Sequence, residues 1–369
     1  MTLTSDDIQR YARHLPLIGH EGQTHLFAAR ILCAGAGGLG ASVLQYLSAA
    51  GIGTIGIADG DQVELSNLQR QVIFSPDDIG KNKAMVAGSY LSRFNPSLKT
   101  IVHEEFLNEN NATKILKDFE LVIDCSDNYR TRYLLNDICI QLKKPLISAS
   151  IYQFQGQCSV FNYKEGPCYR CLYEEPPLEE LIPNCAFGGV LGVLPGILGC
   201  IQATEAIKII LHKGEVLSGR LLTIDALSMR IRELMVPKNP QCPCCYEGKS
   251  ALNLFLNTDN SKKIREIEVQ KLVQCLENQN DDHLLLIDVR EPYEREICHI
   301  GGQNIPLREL DTRQANLPRN KFIICYCKSG QRSRRAVQLL MDNGFTNVSS
   351  LQGGIMAWIS SIDHSLTKY

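Results

Sequence analysis

Residues 35 to 40 read Gly-Ala-Gly-Gly-Leu-Gly, a G-x-G-x-x-G run between the apolar stretch RILCA and the helical pattern LGASVLQYLSAAG. Gly35, Gly37, Gly38 and Gly40 let backbone amides close around phosphate at a helix N-terminus. Asp59, nineteen residues beyond Gly40 at the end of the next β-rich run, is placed to take a ribose diol. NAD, FAD and ATP all offer a ribose and phosphates, so these residues leave the three open. The following segment, DGDQVELSNLQRQVIFSPDDIGKNKA, brings Asn67, Arg70, Lys81 and Lys83 toward the same crevice. A dinucleotide needs little extra positive charge there, whereas a triphosphate needs more, and fixed cations stabilise pyrophosphate as it leaves. Asp127, in DCSDN after another apolar run, is placed to hold a magnesium ion bridging phosphates.

The chain has fifteen cysteines among 369 residues. Two C-x-x-C knuckles, Cys168 with Cys171 and Cys242 with Cys245, are separated by 70 residues, and each can chelate one edge of a tetrahedral zinc. A redox dithiol is the alternative, but it does not explain a matching distant pair. Cys244 is an extra thiol inside the second knuckle and leaves its register open.

Toward the other end, ICYCKSGQRSRRAVQLL sets Cys327 between a hydrophobic strand and an amphipathic helix. Cys327 to Arg332 form a tight loop whose N–H groups can converge on the sulfur while the helix N-terminus adds positive potential. Such a nest lowers a thiol pKa and favours an anionic persulfide, with Lys328 and Arg332 adding charge. A phosphatase cradles phosphate in a similar loop that is one residue longer; the shorter loop suits one extra sulfur. Cys325, two residues earlier on the strand, is expected to point away from the Cys327 side into core.

These residues need elements that bring them to strand ends. Between Arg30 and Ser148, β-rich runs alternate with helical patterns, which argues for a parallel sheet covered on both faces. A second α/β set begins with IEVQKLVQCLENQ. Between them the texture turns to proline, asparagine and lysine without a helical period, so the reading is a domain over 1–248, a linker over 249–263 and a second domain over 264–369. Apolar residues at 44%, charged residues at 21% and a net charge of −2 describe an ordinary globular chain with no global pull toward nucleic acid or membrane. MTLTSDDIQRYARHL has no secretory pattern, and the uncharged run Ala186 to Ile201 is too short to span a bilayer. The expectation is a cytoplasmic protein in which that run starts a buried helix.

RYARH, GAGGLG, ADGDQVELSNLQRQ, GKNKA and DCSDN, in this order and spacing, closely resemble the MoeB/ThiF family, relatives of ubiquitin-activating enzymes, over residues 5 to 247. The resemblance implies a Rossmann-like ATP-binding domain with a mostly parallel central sheet, which adenylates the C-terminal glycine of a small ubiquitin-like protein with Mg-ATP. It implies that Gly38 and Asp59 bind the nucleotide, that Asn67, Arg70 and Lys83 hold phosphates, and that Asp127 binds magnesium. It further implies that Arg13 of RYARH acts in the neighbouring subunit's site, hence a homodimer, and it points to the same four thiolates for zinc. In family members a cysteine at the place of Cys185 lies on a loop crossing the adenylation site, where it could attack the acyl adenylate or pair with the carrier; a buried structural thiol is the alternative.

The Cys327 stretch, with LIDVREPYERE, HIGGQNIPL and LQGGIMAW, resembles the single-domain rhodanese family over residues 264 to 362. That implies a C-terminal α/β domain in which Cys327 carries a sulfane sulfur, Lys328, Ser329, Gly330, Gln331 and Arg332 cradle it, and Asp288 and Arg290 brace the loop, a plain structural ion pair being the alternative for these two. Together the halves look like MoeB-rhodanese fusions serving molybdopterin synthesis, tRNA thiolation or thiamin synthesis. The implied partners are a MoaD/ThiS-like sulfur carrier ending in Gly-Gly and a sulfur donor, either thiosulfate or a desulfurase persulfide, with neither nucleic acid nor membrane. Two other readings stay open: an NAD-dependent oxidoreductase with a regulatory rhodanese module, and an inactive activating-enzyme-like scaffold.

Overall fold

In the computed structural model, residues 3–176, 189–246, 264–277 and 284–369 are described. Among them, the first part of the chain builds an eight-stranded sheet from β1 (Arg30–Ala34), β2 (Thr54–Ala58), β3 (Lys99–His103), β4 (Leu121–Asp124), β5 (Leu146–Tyr152), β6 (Gln155–Phe161), β7 (Arg220–Asp225) and β8 (Arg230–Met235). The strand order is β3-β2-β1-β4-β5-β6-β7-β8; β1 to β5 run parallel, and β6 to β8 extend the sheet antiparallel. The mostly parallel sheet agrees with the alternating sequence pattern. Its antiparallel extension carries a weaker signal, because β8 (RIRELM) is exposed along its whole length and so lacks apolar alternation.

Strand alternation divides the core in two. Ile31 and Cys33 face Val43, Leu44, Leu47 and Leu198, while Leu32 and Ala34 face Phe119, Leu134, Leu135 and Ile138. Helix Val193–Leu211 is long and apolar enough to cross a membrane, yet half of that stretch is buried. It packs on helix Gly38–Ala50 so closely that a Cβ at Gly199 would lie 2.6 Å from the Leu39 carbonyl oxygen. That agrees with a core helix.

The strand order reverses between β1 and β4, which opens a crevice at the C-terminal ends of the strands. Ala34 is in register with Ala58 on one side and Asp124 on the other, so Gly35, Asp59 and Cys125 follow on one rim.

The chain divides into two compact units, Met1–Leu256 and Asn257–Tyr369. The linker expected over 249–263 lies outside the described residues. In the second unit β9 (Glu266–Ile267), β10 (Leu284–Asp288), β11 (Gln303–Asn304), β12 (Phe322–Tyr326) and β13 (Val348–Leu351) form a parallel sheet ordered β11-β10-β12-β13-β9. Ile323, Cys325 and Cys327 pack on one face with Ala336, Val337 and Leu340, and Ile324 and Tyr326 on the other with Ile355 and Ile359. Cys325 is core, as expected, but it shares the Cys327 side: residues two apart on a strand point the same way.

Candidate functional site

The first cluster forms where β1 turns into helix Gly38–Ala50. Gly35 takes φ +103, open to glycine at little cost, and a Cβ there would meet the Cys125 carbonyl oxygen at 2.8 Å. At Gly40 a Cβ would lie 2.1 Å from the Gly35 carbonyl oxygen, so the helix can approach the strand only through glycine. Gly37 caps the helix with no side-chain acceptor on its first amides, which leaves those N–H groups available to an anion.

Asp59 lies at the same rim. Its Oδ2 accepts from the Ala36 N–H at 2.8 Å and its Oδ1 from the Asp61 N–H at 2.9 Å. The carboxylate therefore clamps the glycine loop, with a second lone pair on each oxygen left for a ribose. Burial pushes this carboxyl up, against the two N–H donors and nearby Lys83. Lys83 opens helix Lys83–Phe94, is buried, and reaches Asp61 Oδ2 at 3.1 Å.

Arg70 lies beside Gly38, a Cβ on which would be 3.5 Å from Arg70 Cγ. Its Nη1 donates to the Ser66 carbonyl at 3.0 Å. Burial lowers its pKa while the charges of Asp127 and Glu64 raise it, so Arg70 and Asp127 share one electrostatic neighbourhood. Asp127 itself is exposed just past β4. Asn67 is buried and caps a turn, its Oδ1 accepting from the Glu64 N–H at 3.1 Å. Lys81 is half-exposed and pairs with Asp78 at 3.2 Å. Arg13 is exposed between helices Ser5–Arg10 and Leu15–Ala28, and Cys185 lies outside the described residues.

The residues that shape the Asp127 loop carry little signal in the sequence. Asp124 is fully buried and accepts from Ser148 Oγ at 2.7 Å and the Ser126 N–H at 3.0 Å, and Arg132 Nη2 donates to the Ser126 carbonyl at 2.9 Å. Only the ASP-x-SER texture of DCSDN hinted at such a turn. Cys125, Cys139 and Cys158 are buried thiols whose pKa burial raises, which keeps them protonated and inert.

The two knuckles do meet. The sulfurs of Cys168, Cys171, Cys242 and Cys245 all lie within 4.8 Å of one another, with contacts of 3.8, 3.6 and 3.5 Å. A tetrahedron of thiolates on zinc has edges of about 3.8 Å, given Zn–S bonds near 2.3 Å. The set therefore fits zinc. Cys244 stands outside it: its sulfur donates to Asp137 Oδ1 at 3.3 Å, and Arg170 grips the same carboxylate at 2.8 Å through two nitrogens. The cluster thus takes Cys242 and Cys245 from the second knuckle.

The second cluster surrounds Cys327, which follows β12 and is fully buried. Gly330, at φ +97, donates its N–H to the sulfur at 3.2 Å, and Ser333 Oγ lies 3.6 Å from it. The loop carbonyls are tied off behind. Ile355 N–H donates to the Cys327 carbonyl at 2.8 Å and Met356 N–H to that of Lys328 at 3.1 Å. A Cβ at Gly354 would strike the Cys327 carbonyl oxygen at 2.4 Å, which explains the paired glycines of LQGGIMAW. Lys328 is half-buried, and Ser329 and Gln331 are exposed.

Arg332 is buried at the loop, its guanidinium paired with both oxygens of Glu294 and electrostatically coupled to Cys327. Asp288 and Arg290 form a buried ion pair: Arg290 Nη2 and Nε reach Asp288 at 2.6 and 2.8 Å, and Nη2 also donates to the Cys298 carbonyl at 2.9 Å. Glu294 and Tyr369, both contributing to this network, carried no sequence signal.

A glycine loop at a parallel-sheet switch point, a four-thiolate cluster and a buried cysteine in a rhodanese-type loop define an activating-enzyme fold joined to a sulfur-handling one. The chain belongs to the ThiF family, whose model matches residues 11–244, and it carries a rhodanese-like domain over residues 270–361. It is 41% identical to the probable adenylyltransferase/sulfurtransferase MoeZ of Mycobacterium tuberculosis, covering 100% of this chain and 96% of the relative. It is 37% identical to the adenylyltransferase and sulfurtransferase MOCS3 of Xenopus laevis, over 100% of this chain and 89% of that one. The fold is shared with E. coli MccB solved with ATP, at TM-score 0.57 and 23% identity, covering 64% of this chain and 74% of that one.

Proposed function

We propose that this chain is an adenylyltransferase and sulfurtransferase that converts the C-terminal glycine of a ubiquitin-like sulfur carrier to a thiocarboxylate. The observation that carries the reading is that one chain holds both an ATP-type glycine crevice with Arg70 and Asp127 beside it and a buried cysteine in a backbone nest. Relatives named for both activities align with it end to end. The oxidoreductase and scaffold readings have no such support.

In the first step the carrier carboxylate attacks the α phosphate of ATP and pyrophosphate leaves. The uncapped amides at Gly37–Gly40 hold phosphate, Asp59 the ribose, and Arg70, Lys83 and Asn67 the outer phosphates. Magnesium, bound through Asp127, would neutralise phosphate charge as pyrophosphate forms. Zinc, held by Cys168, Cys171, Cys242 and Cys245, would staple the chain after β8 to the segment after β6. In the second step the terminal sulfur of the Cys327 persulfide attacks the acyl carbon and AMP leaves; an external thiol then attacks the Cys327 sulfur of the resulting acyl disulfide, the S–S bond breaks and the thiocarboxylate leaves, and a second thiol reduces the disulfide left on Cys327. Cys185 is proposed for an alternative route, in which its thiol attacks the acyl adenylate and AMP leaves at that step, or in which it forms a disulfide with the carrier. The working form is a cytoplasmic homodimer in which Arg13 crosses into the neighbouring site, with 1–248 adenylating, 249–263 linking and 264–369 transferring sulfur. The sulfur comes from thiosulfate or a desulfurase persulfide.

ATP–pyrophosphate exchange that requires a Gly-Gly carrier, measured beside thiosulfate sulfurtransfer in the same preparation, tests this reading. Both activities are expected; absence of exchange with every such carrier would overturn the first half.

A further inference from the structure

Tyr369 joins the Cys327 loop to its braces. Its hydroxyl accepts from Arg290 Nη1 at 2.6 Å and donates to Glu294 Oε1 at 3.2 Å. Both partners are themselves held, Arg290 by Asp288 and Glu294 by Arg332, so the ring is pinned in orientation. Burial raises the phenol pKa, which keeps the hydroxyl protonated and able to serve both partners. The Lys328 ammonium sits 4.7 Å from the centre of the ring face. No carboxylate lies within ion-pair distance of Lys328 among the described residues. A π-face holds a cation without pairing it to an anion, whereas Arg332 is ion-paired with Glu294. Lys328 is thus a half-buried loop cation held on a ring face, with no carboxylate paired to it among the described residues.

We propose that Tyr369 is a positioning residue for sulfur transfer, its ring a platform that sets the Lys328 ammonium for an anionic sulfane-sulfur donor. This rests on the reading of Cys327 as the sulfur carrier. With thiosulfate, the Cys327 thiolate attacks the outer sulfur, the S–S bond breaks, and sulfite leaves with the bonding pair. Cyanide then takes the terminal sulfur as thiocyanate and returns the thiolate.

The test is thiosulfate–cyanide sulfurtransfer by the full chain, with KM for thiosulfate and kcat measured separately. Tyr369→Leu removes the platform and raises KM about threefold to fivefold, the worth of one modest cation–π contact, with kcat nearly unchanged. Tyr369→Phe keeps the ring and rescues KM to within about twofold. In a Lys328→Ala background Tyr369→Leu adds nothing further, because the residues act as one unit. Phe as impaired as Leu, or a Leu effect undiminished without Lys328, would overturn the proposal. If Tyr369→Leu does not fold, Lys328→Ala at its half-exposed position decides alone: KM rises at least as much, and an unchanged KM overturns the proposal. Cys327→Ala separates the two claims, since activity surviving there defeats the sulfur-carrier reading itself.

Discussion

Glu294 holds Arg332 through both carboxylate oxygens across 38 residues of sequence, and their side chains are only 6% and 7% exposed. Burial raises the Glu294 carboxyl, but Arg332 outweighs it and the net pKa is lowered. The sign follows: stability from this pair is present above the unfolded carboxyl value, about 4.3, and is lost as pH falls through the lower folded value. Glu294→Gln removes the carboxylate charge from beside the buried Arg332 and costs about 3 kcal/mol at neutral pH. Thermal melts of the full chain between neutral and acid pH should show a lower transition for the variant at pH 7, with the gap to wild type closing below about pH 4.

Gly40→Ala forces a Cβ to within 2.1 Å of the Gly35 carbonyl oxygen, a backbone clash that no rotamer relieves. The glycine loop must shift, at about 1–3 kcal/mol or more. Equilibrium binding of ATP should fall at least tenfold while thiosulfate sulfurtransfer stays unchanged.

Arg70 and Asp127 share the mouth of the crevice, and each alone should matter. Arg70→Ala and Asp127→Ala should each lower ATP–pyrophosphate exchange by about 100-fold or more, the usual loss when one charge stabiliser is removed. For Asp127→Ala the loss should be partly offset by raised magnesium; for Arg70→Ala it should not.

Cys244 and Cys242 stand two residues apart with different tasks. Cys242→Ser should abolish bound zinc and destabilise the first unit strongly, since metal binding is coupled to folding. Cys244→Ser, whose hydroxyl can still donate to Asp137, should keep a full zinc complement by elemental analysis.

What the sequence disclosed was local. The glycine run, the knuckles and the Cys327 loop are short-range spacings whose chemistry is fixed by a few neighbouring residues, and all three were readable. The network behind them was not: Glu294 lies 38 residues from Arg332 and 75 from Tyr369, and only the sheet order brings them together. The same cause hid the pairing of Arg332 with Glu294 and of Lys83 with Asp61. The placement of Cys325 away from Cys327 fails for a simpler reason, the two-residue period of a strand.

The central claim is that Cys327 supplies the sulfur that replaces oxygen on an adenylated carrier. It is tested most directly by incubating wild type and Cys327→Ala with Mg-ATP, thiosulfate and a Gly-Gly carrier, then weighing the carrier. Wild type should yield carrier with one oxygen replaced by sulfur, and Cys327→Ala should yield adenylated carrier without sulfur. Thiocarboxylate made by Cys327→Ala in the absence of added sulfide would contradict the account.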